Sequence, residues 1–415
     1  MQNILLSVSE ASNLLDVSPD TIRRWDKANL IKSYRSKNNY RLFNQEEIFR
    51  YHQKISGSNT SDYKILGSNL LTPYTTIELF TGAGGTALGL ENSGLRQIMN
   101  VEVDKNAVKT LKTNRPGWHV VNEDIANISF KGMTADVVEG GFPCQAFSYA
   151  GKQLGFSDVR GTLFFEFARA VDEIQPRILI GENVRGLESY DGGRTLQTML
   201  SVLDQIGYKV AYKILRAQYF DVPQKRERLI IIGVRKDLYP SIPLLVPKEK
   251  NYIITLREAL ENVPDSIGQQ YSEKKKTVLD LVPPGGYWRN LPKEVAKSYM
   301  MGSYYLGGGK TGMARRMSWN EPSLTLTCSP SQKQTERCHP EETRPFTVRE
   351  YARIQTFPDD WIFEGSISSQ YKQIGNAVPC NLAYHIGQAV ISMLSNEIDT
   401  NVVEELEPID FSKKL

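Results

Sequence analysis

The 415 residues predict an α/β fold: a doubly wound, mostly parallel sheet with a smaller inserted domain and a small helical module in front. Three observations carry that expectation. Short apolar runs at 76–80, 97–101, 135–138, 177–181, 208–212 and 229–233 read as buried strands, most of them separated by helical segments. Several end in glycine, a carboxylate or a cysteine, and parallel sheets place ligands just beyond the carboxyl ends of their strands. Between 233 and 318 the texture changes to prolines, glycines, aromatics and lysines, which marks an insertion.

Composition narrows the class. Four cysteines (144, 328, 338 and 380) show no paired C-x-x-C spacing, which argues against a disulfide framework and a zinc site and suits a reducing cytoplasm. Cys338-His339 is too sparse to be a metal ligand set. No basic amino-terminal stretch leads into an apolar run and no segment approaches a membrane span, so a soluble cytoplasmic protein without membrane contact is expected. The net charge of +3 is uneven: residues 1–55 carry 9 Lys+Arg against 6 Asp+Glu, and residues 246–316 carry 12 against 7. Two basic ends around a mildly acidic middle point to two polyanion contacts, although charge runs also occur as plain solvated surface.

Residues 7–30 read as two short helices joined by Asp16-Val17-Ser18-Pro19-Asp20, with Ser18 as N-cap and Pro19 as first helical residue. The second helix turns Ile22 and Trp25 inward and Thr21, Arg23, Arg24 and Lys27 outward, as a recognition helix requires. Two strands around Ser36-Lys37-Asn38 then form a basic hairpin whose Arg35 and Arg41 suit phosphates, and 46–51 closes the unit as a short helix. This stretch resembles the winged helix-turn-helix of MerR-type regulators and excisionase-like modules. Residues 53–75, rich in Ser, Gly and Asn, read as a tether.

The large domain opens with a strand running into Phe80-Thr81-Gly82-Ala83-Gly84-Gly85, whose glycines let backbone approach a ligand. The next strand ends at Glu102, placed to accept two ribose hydroxyls, and a third unit ends at Glu123-Asp124-Ile125, whose Asp124 suits an adenine amino group. Each signal has a plain structural alternative, tight packing for the glycines and helix capping for the aspartate. The glycine spacing departs from the dinucleotide fingerprint and no Walker lysine follows, so S-adenosylmethionine is favoured over NAD and ATP. Cys144, in Gly141-Phe142-Pro143-Cys144-Gln145-Ala146-Phe147-Ser148, stands beyond a strand end behind a stiffening proline and is a candidate nucleophile rather than a core thiol. The run 161–170 reads as a helix covering the cofactor, and the strand 177–181 delivers Glu182, which beside that pocket is expected to hold a proton for a ring nitrogen. Strand alternation across 221–228 sends Arg226 and Arg228 to one side, towards a base oxygen and a phosphate, with a salt bridge to Glu227 or Glu182 as the alternative for Arg226.

In order and spacing, Phe80 to Gly85, Pro143-Cys144-Gln145, Glu182-Asn183-Val184, Gln224-Lys225-Arg226-Glu227-Arg228, the segment 344–355 and Gln373-Ile374-Gly375-Asn376-Ala377-Val378-Pro379 resemble bacterial DNA cytosine-5 methyltransferases. The resemblance implies domains at 1–55, 56–75 (linker), 76–236 (catalytic), 237–318 (target recognition), 319–396 (completing both) and a tail at 397–415. It implies a Rossmann-like cofactor pocket of Phe80, Gly82, Gly84, Gly85, Glu102, Val103, Asp124, Ile125, Pro143, Leu163, Asn376 and Val378, with S-adenosylhomocysteine as product. Val103 replaces the bulky ring that often follows the ribose-binding acid. Cys144, Glu182, Arg226 and Arg228 become the catalytic set, Gln145, Ser148, Arg315 and Arg316 DNA contacts, and no metal is required. Double-stranded DNA is the implied substrate and a restriction endonuclease the implied companion on the same site, without direct contact. A monomer is favoured because a short helix, not a long one, runs into the tether. A transfer RNA cytosine-5 methyltransferase is disfavoured by the basic insertion and the amino-terminal module. A regulator with a vestigial enzyme core would not require Cys144, Glu182 and Arg228.

Overall fold

The computed structural model describes residues 5–15, 17–27, 31–36, 39–45, 48, 51–52, 63–67, 71–143, 162–306 and 309–411. In the amino-terminal module β1 (Leu5–Ser7) pairs antiparallel with β3 (Arg41–Asn44), which pairs with β2 (Ser33–Arg35). Only β1 lies outside the expected pattern; three residues that pair far along the chain leave no periodicity to read. The first helix, Val8–Leu14, starts at a reciprocal cap in which Ser7 Oγ accepts from Glu10 N at 3.2 Å and Glu10 Oε2 accepts from Ser7 N at 2.7 Å. The second, Pro19–Lys27, begins where Ser18 Oγ accepts from Thr21 N. Ala11, Leu15, Ile22, Trp25, Ile31, Phe43 and Ile48 are buried in this module. Gln45, Ile48, Tyr51 and His52 are helical; the other positions of the expected closing helix lie outside the described residues.

The large domain carries β4 (Thr75–Leu79), β5 (Arg96–Val101), β6 (Val120–Val121), β7 (Val137–Gly140), β8 (Ile178–Val184), β9 (Tyr208–Arg216), β10 (Gln224–Lys225) and β11 (Glu227–Arg235). Seven of these form one sheet in the order β6-β5-β4-β7-β8-β11-β9, in which β11 alone runs antiparallel to its neighbours. After β4 the chain winds outward through β5 and β6, then crosses back to β7 on the other side. The order therefore reverses between β4 and β7, where a crevice opens outside the strand ends. Helices Gly85–Ser93 and Cys380–Ser395 pack on each other, and Leu163–Ile174 and Arg194–Gln205 share a core with β7 and β8. β8 runs through Val184 instead of stopping at 181, because β11 continues its ladder past the last pair with β7 at Gly181, opposing Glu182, Asn183 and Val184 with Ile230, Leu229 and Arg228.

Three boundaries differ from expectation. Tyr63–Gly67, expected as tether, is docked: Tyr63 Oη donates to the Arg353 carbonyl at 2.9 Å, and Asn381 accepts from Leu66 N while donating to the Lys64 carbonyl, each at 2.9 Å. Residues just after 236 belong to the catalytic core, since β12 (Leu245–Pro247) pairs with β14 (Val403–Glu405) and Leu244, Leu245 and Val246 are buried. The carboxyl-terminal tail is that partner, not an appendage. The inserted domain keeps its own small core of Tyr271, Leu279, Val282, Leu291, Ala296, Ala314 and Cys338. It connects back through β13 (Ser323–Leu324), parallel to β10. No helix among the described residues is long and apolar enough to cross a membrane.

Candidate active site

Phe80 leaves β4 at φ 60°, and Gly82 follows at φ 58° with open space where a Cβ would project. Left-handed backbone beside an empty volume suits a glycine that faces a ligand. Gly82 N donates to Glu102 Oε2 at 2.7 Å and Asp104 N to Glu102 Oε1 at 2.7 Å, fixing the carboxylate at the end of β5 against the turn. Val103 beside it is 64% exposed. Asn122 Nδ2 donates to the carbonyls of Glu102 and Val103 at 3.0 and 3.1 Å, joining the end of β6 to the same rim. There Asp124 accepts from Ala126 N at 3.0 Å as the cap of Ile125–Asn127, and Ile125 is buried. Gly84 caps the following helix, whereas Gly85 is a packing glycine: its Cβ would lie 2.2 Å from the Val378 carbonyl. That close approach brings Asn376, exposed, and Val378, buried, against the turn. Open glycine, fixed carboxylate and exposed apolar side chain at adjacent strand ends fit an adenosyl group.

On the other side of the crevice, register places Glu182 of β8 opposite Ile230 and Val184 opposite Arg228. Arg228 Nε and Glu182 Oε1 stand 2.6 Å apart as a mostly buried ion pair, close in distance but without a well-aligned N–H. Glu182 Oε2 lies 3.2 Å from where a Cβ of Gly141 would sit, so the carboxylate faces the turn before Cys144. Asn183 Nδ2 donates to the Phe142 carbonyl at 2.8 Å, and the Phe142 ring is buried 5.2 Å from both Phe164 and Phe167. Pro143 is exposed at the end of this anchored turn, and Leu163 begins the helix packed behind it, half-buried. Cys144, Gln145 and Ser148 lie outside the described residues.

Arg226 does not follow Arg228. It falls between β10 and β11, 1% exposed, and donates to the carbonyls of Leu326, Gly375 and Asn376 at 3.2, 3.1 and 3.4 Å. The alternation argument fails because 221–228 is not one strand. Burial, then the Arg228 charge, lowers the affinity of Arg226 for its proton. It holds the segment bearing Asn376 instead of reaching a base oxygen or phosphate. The alternative of a bridge to Glu227 is also closed, because Arg185 pairs with that carboxylate at 2.7 Å.

Sequence reasoning missed two groups here. Glu78 of β4 and Glu139 of β7 are register partners, 1% and 2% exposed, and Asn100 of β5 lies across from Glu78. Burial pushes both carboxyls well above the usual carboxylate range, and Glu139 is pushed further by the charges of Glu78 and Glu182. A carboxylate inside an apolar run was the available signal. The second is Cys328, exposed, whose Sγ donates to Asn376 Oδ1 at 3.0 Å; nothing in its surroundings in sequence marks it.

The expected DNA contacts divide. Arg23, Arg24, Lys27 and Arg35 are exposed on the amino-terminal module, and Thr21 and Arg41 are half-buried. Arg23 pairs with Asp20 at 2.6 Å and Arg41 with Asp26 at 3.0 Å, while Thr21 Oγ1 shares a hydrogen bond with Ser18. Arg315 is half-buried over the Tyr287 ring at 5.8 Å. Arg316 contradicts expectation: it is 4% exposed and donates to the carbonyls of Val282, Leu279, His339 and Glu341 and to Thr343 Oγ1, at 2.6–3.3 Å. It cannot read a base from there.

Comparison with known proteins agrees with this geometry. Residues 74–392 match the model of the C-5 cytosine-specific DNA methylase family, and residues 7–43 match the MerR family of regulatory proteins. The type II methyltransferase M.Eco47II of Escherichia coli is 54% identical over 94% of this chain and 95% of its own length. M.Sau96I of Staphylococcus aureus is 53% identical over 78% and 76%. A solved structure titled as a prophage-encoded DNA modification methyltransferase of E. coli superposes with a TM-score of 0.55 at 26% identity, covering 78% of this chain and 99% of that one. DNMT2 of Spodoptera frugiperda shares the fold, with a TM-score of 0.50 at 19% identity. With the family match spanning most of the chain and its strand-end groups gathered at one switch point, the protein belongs to the C-5 cytosine-specific DNA methylases, which as methyltransferases draw on S-adenosylmethionine.

Proposed function

We propose that this chain methylates C5 of a cytosine in a short duplex sequence, as the modification half of a type II restriction-modification system. One observation carries the residue roles: the β7–β8–β11 register sets Glu182 beside Arg228 and against the anchored Gly141–Pro143 turn that leads directly into Cys144. S-adenosylmethionine, when bound, supplies an electrophilic methyl group. Gly82, Glu102, Val103, Asp124, Ile125, Asn376 and Val378 hold it, with Phe80, Pro143 and Leu163 closing the pocket. Cytosine C5 is too weak a nucleophile unaided, so the Cys144 thiolate adds to C6 while Glu182 holds N3, which makes C5 carbanion-like. After C5 is methylated, a base, water being the simplest, removes the C5 proton, and elimination returns the thiolate. Arg228 holds the flipped base at O2 and orients Glu182. Arg226 is a positioning residue. Because C6 is hidden inside a duplex, the base leaves the stack at a cost of a few kcal/mol, roughly.

The amino-terminal module supplies a second DNA contact through Arg24, Lys27 and Arg35, and represses a promoter or strengthens binding. The chain acts as a monomer in the cytoplasm, at the nucleoid, with a restriction endonuclease working on the same site. Bisulfite sequencing of DNA from a methylation-free host expressing the wild type, with Cys144→Ser in parallel, tests the reading: cytosines protected in one short motif and lost in the mutant are expected. Protection in neither overturns DNA methylation and turns attention to RNA. A chain lacking residues 1–55 keeps the motif and loses promoter occupancy or DNA affinity; no change in either removes the role given to the module.

A further inference from the structure

In the inserted domain, four aromatic rings form a row whose middle lies on the domain's core and whose far end reaches the surface. Tyr287, Trp288, Tyr304 and Tyr305 follow one another edge to face, with ring centroids 6.3, 5.8 and 5.2 Å apart. The middle of the row is anchored: Trp288 and Tyr304 pack on the domain's own core, and Trp288 Nε1 donates to the Gly309 carbonyl at 3.2 Å. The outer end is bare, with Tyr305 78% and Leu306 65% exposed on the turn that follows helix Lys293–Met300. Arg289 lies over Trp288 at 5.3 Å and Arg315 over Tyr287 at 5.8 Å. At the Tyr287 end, Arg315 feels the charge of Glu321, whose carboxylate pairs with Lys225 of β10 at 3.2 Å.

Rigid aromatics carrying cations on their faces, with an exposed apolar tip, make a recognition surface. The charge selects the partner. With Arg316 buried, the basic residues between 285 and 315 still outnumber the acidic by Arg289, Lys293, Lys297, Lys310 and Arg315 to Glu294 alone, which suits a polyanion. We propose that this ladder grips the duplex being methylated, with the Tyr305–Leu306 tip against base edges and Arg289 on a phosphate; the proposal rests on the DNA-methylation reading above. It separates two functions that a single basic surface would merge, because base contacts set specificity and phosphate contacts set affinity.

The test uses the full chain on duplexes carrying the motif defined by bisulfite sequencing and on single-mismatch versions of them. Tyr305→Ala with Leu306→Ala is expected to shrink the kcat/KM ratio between cognate and mismatched duplex by about tenfold or more. Arg289→Ala is expected to weaken binding to all duplexes alike and to lower the slope of log K against log salt by about 1. Thermal unfolding confirms that each variant is folded, and Arg289→Ala keeps the test open should the double variant unfold. Wild-type ratio, affinity and salt slope in both variants overturn the proposal and assign the patch to a protein partner. A wild type that methylates no DNA overturns the underlying reading instead.

Discussion

The sheet and the inserted domain use charge in opposite ways. In the sheet, ionisable groups are turned towards one another by register: Glu182 meets Arg228, and Glu78 lies beside Glu139. In the insertion a guanidinium is inside, Arg316 among carbonyls, while aromatic and aliphatic side chains, Tyr305 and Leu306, stand in solvent. A buried charge must be paired, hydrogen-bonded or neutralised: the sheet pairs Arg228 with Glu182 and raises Glu78 and Glu139 towards the protonated form, whereas the insertion hydrogen-bonds Arg316. The lesson is that a basic residue in an irregular segment is as apt to tie loops together as to touch DNA, and that exposed rings there are the better pointer to a surface.

The largest effect that sharpens this contrast is expected at the sheet. Glu182→Gln removes the carboxylate that faces the anchored turn, and single-turnover methylation should slow by about 10²- to 10⁴-fold, with cofactor affinity measured by calorimetry unchanged. An unaltered rate would mean that register alone does not assign the group its role. The insertion should answer with stability instead. Arg316→Met strands the carbonyls of Leu279, Val282 and His339, and urea unfolding should show a loss of about 3 kcal/mol or more. If Arg316→Met remains as stable as wild type while its DNA affinity falls, the contrast between the two regions is broken.

How much was legible follows the same division. Gly82, Glu102, Asp124 and Glu182 were readable because a parallel sheet delivers strand ends to one edge, so a residue's place in a run fixes its place in space. Arg226 was misread because alternation was carried across a break between β10 and β11, and a strand period has no meaning there. Glu139 lies one residue beyond the apolar run 135–138, and a charged side chain there gives no sign that β7 continues through it to Gly140. Around Arg316, between residues 305 and 322, no described helix or strand sets a period. Charge was then the only signal for Arg316, and it pointed outward when the side chain lies inside. The docking of Tyr63–Gly67 and the pairing of β12 with β14 join residues far apart in sequence, which composition cannot show.

The smallest effect concerns a charge that the fold excludes. His385 sits in helix Cys380–Ser395 with Nε2 2.8 Å from Asp221 Oδ2, against the Phe220 ring, and Lys250 and Tyr252 face the same carboxylate. Burial lowers the imidazole's affinity for a proton; Asp221 pulls the other way, Lys250 adds to the lowering, and the net shift is down from 6.5. The unfolded chain therefore binds the proton first as pH falls, so stability is full above about 6.5 and declines through the window between that value and the lower folded one. Asp221, held below the usual carboxylate range despite its burial by hydrogen bonds from His385, Lys250 and Tyr252, stays ionised throughout that window and adds no slope of its own. His339, also lowered by burial, contributes in the same direction. Glu78 and Glu139, whose carboxyls burial raises, favour the folded chain as pH falls and oppose this slope, so the expected signature is a difference: between pH 7.5 and 5.5 the melting temperature of the wild type should drop relative to that of His385→Gln, whose amide can still donate to Asp221 but cannot titrate. A difference that stays constant over that range would mean that His385 is not where the fold excludes the charge.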